Sequence, residues 1–251
     1  MSRLLGSSDL PTVTVLNPEG GSPFLLLGDH AGNAIPAALG DLGLDAAERT
    51  RHIAWDIGVA GLGQALATRL DATFVRQTWS RLVIDCNRDP ARPDAIPAVS
   101  DGTVIPGNAN LSDADRAARV AEVHEPYQAA IAARIAERTA AGRETVVVSL
   151  HSFTPRMNDF DRPWQAGVLH DGHEDGFALR LLAVMRTEPG LTIGDNEPYR
   201  MNTVDHTIPR HAFAAGLSYA ELEIRQDLLA DEAGQAAWAE RLARWLGAAL
   251  G

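Results

Sequence analysis

Short apolar runs alternate with longer helical patterns along almost the whole chain, and this alternation constrains the fold more than any other feature. The runs with the length and composition of strands are residues 22–28, 72–76, 81–85, 145–150, 166–170, 191–195 and 218–224. Amphipathic helical patterns occupy residues 45–70, 112–140, 175–187 and 231–249. Strands that alternate with helices predict an α/β fold, in which helices flank a mixed, largely parallel sheet.

Length and charge narrow the class of protein. The chain has 251 residues and folded domains contain roughly 50 to 250, so we expect residues 1–251 to form a single domain. The formal net charge of −11 argues against a nucleic-acid partner, because phosphate-binding surfaces need clustered Lys and Arg. All 22 basic residues are arginines, which excludes a Schiff-base lysine and a P-loop lysine.

The compartment follows from the cysteine count and the hydropathy pattern. Cys86 is the only cysteine, so the chain cannot form an intramolecular disulfide. The first residues, "MSRLLGSSDL", lack the apolar core of a signal peptide, and no apolar run approaches the roughly 20 residues of a membrane helix. We therefore expect a cytoplasmic protein without a membrane partner.

Polar residues that suit metal chemistry follow two of the apolar runs. "FLLLGDHAGN" contains His30 near its end, and "VVVSLHSF" contains His151. Ligands gather at the carboxyl ends of strands in open α/β sheets, and neutral imidazole is a good zinc ligand. A catalytic zinc needs a third protein ligand, for which we favour Asp56, with Asn33 and Glu221 as alternatives. Each histidine taken alone could instead hydrogen-bond the backbone at a strand end.

The last predicted strand offers a general base. In "SYAELEI", Glu221 and Glu223 lie on one face at the period-two spacing of a strand. Glu223, nearer the end of the strand, could take a proton from a water molecule activated by a metal ion. The alternatives are an exposed sheet edge or an ion pair with Arg225.

Two arginines are candidates for holding a substrate carboxylate. Arg88 follows Asn87 directly after the run 81–85, and a guanidinium fork can bind a carboxylate through two hydrogen bonds. Arg210, between two histidines in "DHTIPRHAF", is a second candidate. An ordinary surface position is the alternative for each.

Taken together, the motifs resemble those of the N-formylglutamate amidohydrolase family. They are "DHAGNAIP" (29–36), "RHIAWDIG" (51–58), "SRLVIDCNR" (80–88), "SDGTVIPGN" (100–108), "HSFTP" (151–155), "GDNEPY" (194–199) and "EIRQDLL" (223–229). They occur in the order found in that family and span nearly the whole chain. Such an ordered set is more specific than any single motif.

This resemblance implies a zinc-dependent amidohydrolase with a three-layer, zinc-exopeptidase-like fold. The chain is also distantly similar to the zinc carboxypeptidases, through "LHSF", "DCNR" and "EIR". By these similarities one zinc ion per chain lies on His30, Asp56 and His151, and Glu223 is the general base. Asn33 departs from the carboxypeptidase pattern, which has a carboxylate there.

The implied substrate is a small acidic N-acyl amino acid, most specifically N-formyl-L-glutamate, which would give formate and L-glutamate. Arg88 with Asn87, and Arg210, would anchor its carboxylates. One rival is a deacylase or peptidase of the same fold that acts on another N-acyl amino acid. The other is a non-catalytic carboxylate-binding protein that has lost the metal. The long segments 87–111 and 195–211 would set the choice of substrate.

Overall fold

The strands of the computed structural model form one large sheet and two small hairpins. Over residues 3–172 and 175–251, which the structure describes, they are β1 (Val13–Leu16), β2 (Phe24–Gly28), β3 (Thr73–Gln77), β4 (Val99–Ser100), β5 (Thr103–Val104), β6 (Val146–Phe153), β7 (Arg156–Met157), β8 (Phe160–Asp161), β9 (Ala166–Leu169), β10 (Ile193–Asp195) and β11 (Ser218–Arg225). The large sheet has the order β1-β3-β2-β6-β11-β9-β10. Strand β1 is antiparallel to β3 and β9 is antiparallel to β11, whereas the other pairs are parallel. The predicted mixed, largely parallel sheet is confirmed.

Helices cover both faces of this sheet. They are α1 (Val59–Leu70), α2 (Asp113–Arg119), α3 (Glu125–Ala140), α4 (Gly176–Met185), α5 (Thr207–His211) and α6 (Glu232–Leu250). Helices α1, α4 and α6 pack on the face that carries Leu26 and Val148, and α3 and α5 pack on the face that carries Leu27 and Val147. The fold therefore has three layers, as expected. No helix in the described part of the chain is long and apolar enough to cross a membrane.

The central strands are buried on both faces, which explains their nearly continuous apolar sequences. All residues of β2 and β6 are buried, and β11 is buried from Tyr219 to Ile224. A parallel strand between two helical layers has no solvated face, so side chains of both orientations enter a core. Buried polar residues in these strands, among them His151 and Glu223, are therefore exceptions with a structural cost.

The helical predictions differ from the structure mainly at one boundary. Ser112 and Asp115 form a complete capping box at the start of α2, and a π-helical turn over Val120–His124 joins α2 to α3. The helix predicted over 45–70 begins only at Val59. Gly58 precedes it with φ of 85°, a conformation that favours glycine and that breaks the helical path before α1.

The run 81–85 is not a strand, contrary to the prediction. It forms a buried turn in which the Val83 N–H donates to the Ser80 carbonyl and the Leu82 N–H donates to the Ser80 hydroxyl. The edge next to β3 is occupied by β1, which was not predicted, so the run packs in small apolar clusters outside the sheet. A short apolar run has no periodicity that distinguishes a strand from a buried turn.

Candidate active site

A cavity of about 460 Å³ lies at the carboxyl ends of β2, β6 and β11. Its wall contains most of the residues singled out from the sequence, which are His30, Asp56, Asn87, Arg88, His151, Glu221 and Glu223. Parts of the long segments 87–111 and 195–211 complete the wall. Ligand sites in α/β folds are typically found at this edge of the sheet.

Three buried side chains converge in this cavity on one point. The Nδ1 atoms of His30 and His151 lie 3.3 Å and 2.9 Å from the same carboxylate oxygen, Oδ2 of Asp56. The ligand atoms that the three residues offer all lie within 4.8 Å of one another. Two imidazole nitrogens and a carboxylate oxygen are a common zinc ligand set that leaves a fourth position open. Glu221, one alternative for the third ligand, is not a member of this group, and Asn33, the other alternative, does not line the cavity.

The backbone fixes each of these three residues. His151 lies within β6, and His30 lies two residues after β2 ends at Gly28. Asp56 is held beside them because its N–H donates to the His30 carbonyl at 2.9 Å, while its own carbonyl accepts from the first residue of α1. The group is thus built by strand β6 and by the short connections that follow β2 and precede α1.

The other nitrogen of each imidazole faces a buried polar partner. Nε2 of His30 lies 2.7 Å from Oδ1 of Asp85. Asp85 in turn accepts hydrogen bonds from the Arg81 guanidinium at 2.5 Å and from the Asn87 N–H at 2.9 Å. A histidine that donates through one nitrogen to a carboxylate presents the lone pair of the other nitrogen, which is the arrangement usual behind a zinc ligand.

His151 has a corresponding set of partners. Its Nε2 lies 3.0 Å from the Ser149 hydroxyl and 3.6 Å from Oδ2 of Asp29. Asp29 is fixed on its other oxygen by the Tyr127 hydroxyl at 2.7 Å and by the Thr207 hydroxyl at 3.1 Å. These distances leave Nδ1 of His151 directed towards the cavity.

Only some of these supporting residues can be recognised from the sequence. Asp29 and Asp85 lie at the ends of apolar runs, but that position alone predicts no role for them. Tyr127 is missed because its partner, Asp29, lies far away in sequence. Arg81 and Ser149 lie close in sequence to their partners, Asp85 and His151. Their spacings, four residues and two residues along a strand, are the local signals that could have found them.

Charge in the group favours a cation at its centre. Burial alone would raise the pKa of Asp56, but the two adjacent imidazoles bring it below its ordinary value. Burial would likewise lower the pKa of His151, yet its hydrogen bonds to Asp29 and Asp56 raise it well above the usual range. The protonated imidazoles thus supply positive charge to the buried carboxylates, beside the Arg81 guanidinium, which lies 3.5 Å from the other oxygen of Asp56. A divalent ion could supply that charge, so the donor set fits a metal.

Glu221 and Glu223 are buried on the same face of β11, with 3% and 6% of their surface exposed. In the register of the sheet, Glu223 lies opposite His151 and Glu221 lies opposite Ser149. Burial raises the pKa of each carboxyl group to about 8, although His151 opposes the shift in both cases. Neither sequence alternative holds, because β11 is an inner strand and Arg225 donates to Asp227 instead.

Arg88 and Asn87 both line the cavity, but their side chains have different partners. The guanidinium of Arg88 donates to the Asn87 carbonyl at 2.9 Å, and its ion pairs are loose, 3.8 Å from carboxylate oxygens of both Asp94 and Asp205. The amide oxygen of Asn87 accepts from the N–H groups of His206 and Thr207, at 3.0 Å each. Asn87 therefore holds the segment before α5 in place, whereas Arg88 has a guanidinium that an incoming anion can recruit.

Arg210 is not brought to this site, contrary to the prediction. It lies on α5 and donates to both carboxylate oxygens of Glu125 at the surface, at 3.2 Å and 3.0 Å. It is not among the described residues that line the cavity. The local pattern of an arginine between histidines cannot show on which side of a short helix the guanidinium emerges.

Comparisons with known proteins agree with this geometry. Residues 22–230 match the family model described as N-formylglutamate amidohydrolase. The chain belongs to the N-formylglutamate amidohydrolase family. The structure of the gene product Atu2144 from Agrobacterium tumefaciens superposes with a TM-score of 0.95 at 40% sequence identity, over 99% of this chain and 98% of that one.

A second solved structure supports the fold at greater distance. The N-formylglutamate amidohydrolase from Ralstonia eutropha superposes with a TM-score of 0.64 at 20% identity, over 95% of this chain and 99% of that one. A search of curated protein sequences gave no match. Membership of the N-formylglutamate amidohydrolase family makes this chain a hydrolase that acts on amides, and the buried His30, Asp56 and His151 form a group that could bind a metal.

Proposed function

We propose that this protein is a zinc-dependent amidohydrolase that converts N-formyl-L-glutamate into formate and L-glutamate. The observation that carries the proposal is the juxtaposition of Glu223 with the His30, Asp56 and His151 group across the β6–β11 pair. A carboxyl group beside a metal site can catalyse amide hydrolysis, because the metal activates a water molecule and the carboxylate takes its proton. The family match supports the formyl amino acid as substrate.

One zinc ion per chain would be held by Nδ1 of His30, Nδ1 of His151 and a carboxylate oxygen of Asp56. Asp85 supports the first imidazole, and Ser149 with Asp29 supports the second. When bound, zinc would supply Lewis acidity, which polarises a carbonyl group and makes a water molecule more acidic. Protein ligands on rigid strands and outer hydrogen bonds are features of sites that keep a metal in fixed geometry.

Glu223 would act as the base and then as the acid. Its carboxylate takes a proton from the attacking water molecule, and the resulting carboxylic acid returns that proton to the amide nitrogen as the bond to the formyl group breaks. The carboxyl group therefore ends each turnover in its starting state. Burial keeps bulk water from competing for the proton at this position.

Arg88 would bind a carboxylate of the substrate. Its weak pairing with Asp94 and Asp205 leaves it able to form shorter, charge-assisted hydrogen bonds to the substrate. Asn87 would hold the start of α5 beside the cavity through its hydrogen bonds to His206 and Thr207. We leave Arg210 out of this role because its guanidinium is paired with Glu125.

The decisive experiment measures formate release from N-formyl-L-glutamate before and after chelation. We expect activity in zinc-loaded protein, its loss after chelation and its recovery with one equivalent of zinc. Full activity in a metal-free sample would contradict the zinc mechanism. A parallel panel of other N-acyl amino acids and dipeptides tests whether a related substrate is preferred.

The remaining parts of the proposal concern the whole protein. We propose that residues 1–251 form one catalytic domain, since the cavity lies at the edge of one sheet and is completed by segments that connect the elements of that sheet. The acidic composition supports a small-molecule partner and not a nucleic acid. We also propose a cytoplasmic location, on the sequence grounds given first.

A further inference from the structure

Glu221 is a second buried carboxyl group in the cavity, and neither proton transfer nor metal binding uses it. It lies two residues before Glu223 on the same face of β11, between Ser149 of β6 and Leu169 of β9. Leu169, Val204 and Asp205 line the cavity together with it. This part of the wall therefore lies beside the reacting groups and not among them.

The carboxyl group of Glu221 has an unused hydrogen-bonding atom. Its Oε2 is buried and has no hydrogen-bond partner among the residues that the structure describes. Buried polar atoms in native proteins are nearly always satisfied, and leaving one unpaired costs free energy. Because Glu221 lines the cavity, a bound ligand is the natural source of the missing partner.

The distance between the two glutamates matches the length of a glutamyl group. Two residues along a strand span roughly 6.6 Å, so Glu221 lies about that far along β11 from the base. In an extended glutamyl group the amide nitrogen and the side-chain carboxyl carbon are separated by about 5 Å. A substrate whose amide nitrogen lies near Glu223 can therefore place its side-chain carboxylate within hydrogen-bonding distance of Glu221.

The surroundings of Glu221 explain how two carboxyl groups could meet there. The ionisable groups around it are His151 on β6, Glu223 on its own strand, Asp205 on the adjoining loop and Asp29 after β2. Burial and the three acidic neighbours favour its neutral form, while His151 opposes this. A neutral carboxyl group has one O–H to donate, which a carboxylate accepts in a short, charge-assisted hydrogen bond.

We propose that Glu221 is the specificity-determining residue, and that its carboxyl group hydrogen-bonds the side-chain carboxylate of the glutamyl substrate. Arg88 then binds the α-carboxylate, so the two carboxylates of the substrate are bound by different residues. This inference rests on the proposed function, because it assumes that an N-formyl amino acid binds with its amide near Glu223.

The test compares zinc-loaded wild type, Glu221→Leu and Glu221→Gln on formylated glutamate, aspartate and norleucine. We expect Glu221→Leu to lower kcat/KM for N-formyl-L-glutamate by about 10- to 100-fold, the effect of losing a hydrogen bond to a charged group. For the norleucine derivative, which has no side-chain carboxylate, Glu221→Leu should leave kcat/KM nearly unchanged or raise it. Glu221→Gln should retain most activity on the glutamate derivative, because an amide N–H can also donate.

Wild-type protein provides a measurement that needs no variant. It should prefer the glutamate derivative to the aspartate derivative, whose side chain is one methylene too short to reach Glu221. Glu188→Gln is the matched control, because it changes a carboxylate that pairs with Arg244 away from the cavity. This variant should leave the ratios of kcat/KM between the three substrates unchanged.

The possible results distinguish a failure of the role given to Glu221 from a failure of the proposed amidohydrolase activity. If Glu221→Leu keeps the wild-type ratio between the glutamate and norleucine derivatives, or if wild type prefers norleucine, the inference alone is overturned. Loss of zinc from both Glu221 variants would also overturn it, since Glu221 would then be a metal ligand. If zinc-loaded wild type releases formate from none of the substrates, the proposed function fails and the inference fails with it.

Discussion

Each of the two candidate histidine ligands has a polar residue behind it that determines which of its nitrogens faces the cavity. A neutral imidazole donates from one nitrogen and accepts at the other, so a carboxylate at Nε2 directs the lone pair of Nδ1 to the metal. For His30 that carboxylate belongs to Asp85, which Arg81 keeps ionised and in place. The identity of Asp85 therefore matters for the metal even though it does not touch it.

The first prediction concerns Asp85. Changing Asp85 to Asn should weaken zinc binding by about 10- to 100-fold, because the imidazole of His30 loses its orienting carboxylate. Competition with a chromophoric chelator measures the affinity directly, without any assay of turnover. Asp94→Asn is the control, since Asp94 also lines the cavity but pairs with Arg92. Equal affinities in the two variants would contradict the role given to Asp85.

A second prediction tests the base. Glu223→Gln should lower kcat by about 10²- to 10⁴-fold, because the amide cannot accept the proton of the attacking water. Zinc content should stay at one per chain and KM should change little, since the carboxyl group is not a ligand in the proposed site. Turnover at the wild-type rate by a zinc-loaded Glu223→Gln protein would remove Glu223 from the mechanism.

The raised pKa of Glu223 also affects stability in the metal-free protein. The folded chain keeps a proton on this group up to about pH 8, whereas the unfolded chain releases it near the ordinary value of 4.5. The free energy of unfolding should therefore fall as pH rises between these values, by up to about 1.4 kcal/mol per pH unit for each such proton. The pKa values of Glu221 and His151 are also raised in the folded chain, so both groups likewise make the free energy of unfolding fall as pH rises.

Urea unfolding of chelator-treated protein at a series of pH values measures this third prediction. In Glu223→Gln the free energy of unfolding should fall less steeply with pH, because the neutral amide carries no titrating proton. Stability that rises over the same interval in the wild type would show that the carboxyl group is ionised in the folded state.

At the level of elements, the cavity depends on a close approach between β9 and the segment after β10. Gly167 on β9 pairs with Glu223 in the sheet, and a Cβ atom at this position would overlap the backbone oxygen of Glu197. Glu197 precedes Tyr199 and Arg200, which both line the cavity. The missing side chain of one glycine thus lets the segment 196–200 lie against the sheet.

Gly167→Ala should therefore destabilise the protein by about 1–3 kcal/mol, the usual range for overpacking a tight contact. It should also raise KM, because the displaced segment forms part of the cavity wall. Gly247→Ala is the control, since a Cβ at this position on α6 meets no atom and alanine favours a helix. Thermal unfolding of both variants makes the comparison, and equal melting temperatures would argue against the contact.

Elements were predictable from sequence where periodicity or end signals were strong. The capping box at Ser112 and the buried run of β6 are of this kind, because their side-chain patterns reflect local hydrogen bonding and burial. The run 81–85 has the composition of a strand but no place in the sheet, and only tertiary packing decides that. The same limit applies to Arg210, whose partner Glu125 lies on another helix.

At the scale of the whole molecule, zinc would link the two halves of the sequence. His30 and Asp56 come from the first part of the chain and His151 from β6, so the ion would bind the folded protein and not the unfolded one. Zinc at 100 times its dissociation constant should then raise the free energy of unfolding by about 2.7 kcal/mol. Urea unfolding with and without zinc measures the difference, and the absence of any shift would contradict a specific site.

The register of β6 against β11 has a further consequence for how this protein tolerates insertions and deletions. His151 faces Glu223 through a fixed ladder of backbone hydrogen bonds, and side chains alternate between the two faces of a sheet. Adding or removing one residue inside either strand would turn one of these side chains to the opposite helical layer. Length changes in this family should therefore be confined to the connecting loops, and the recovery of activity during refolding should report when these two strands have paired in register.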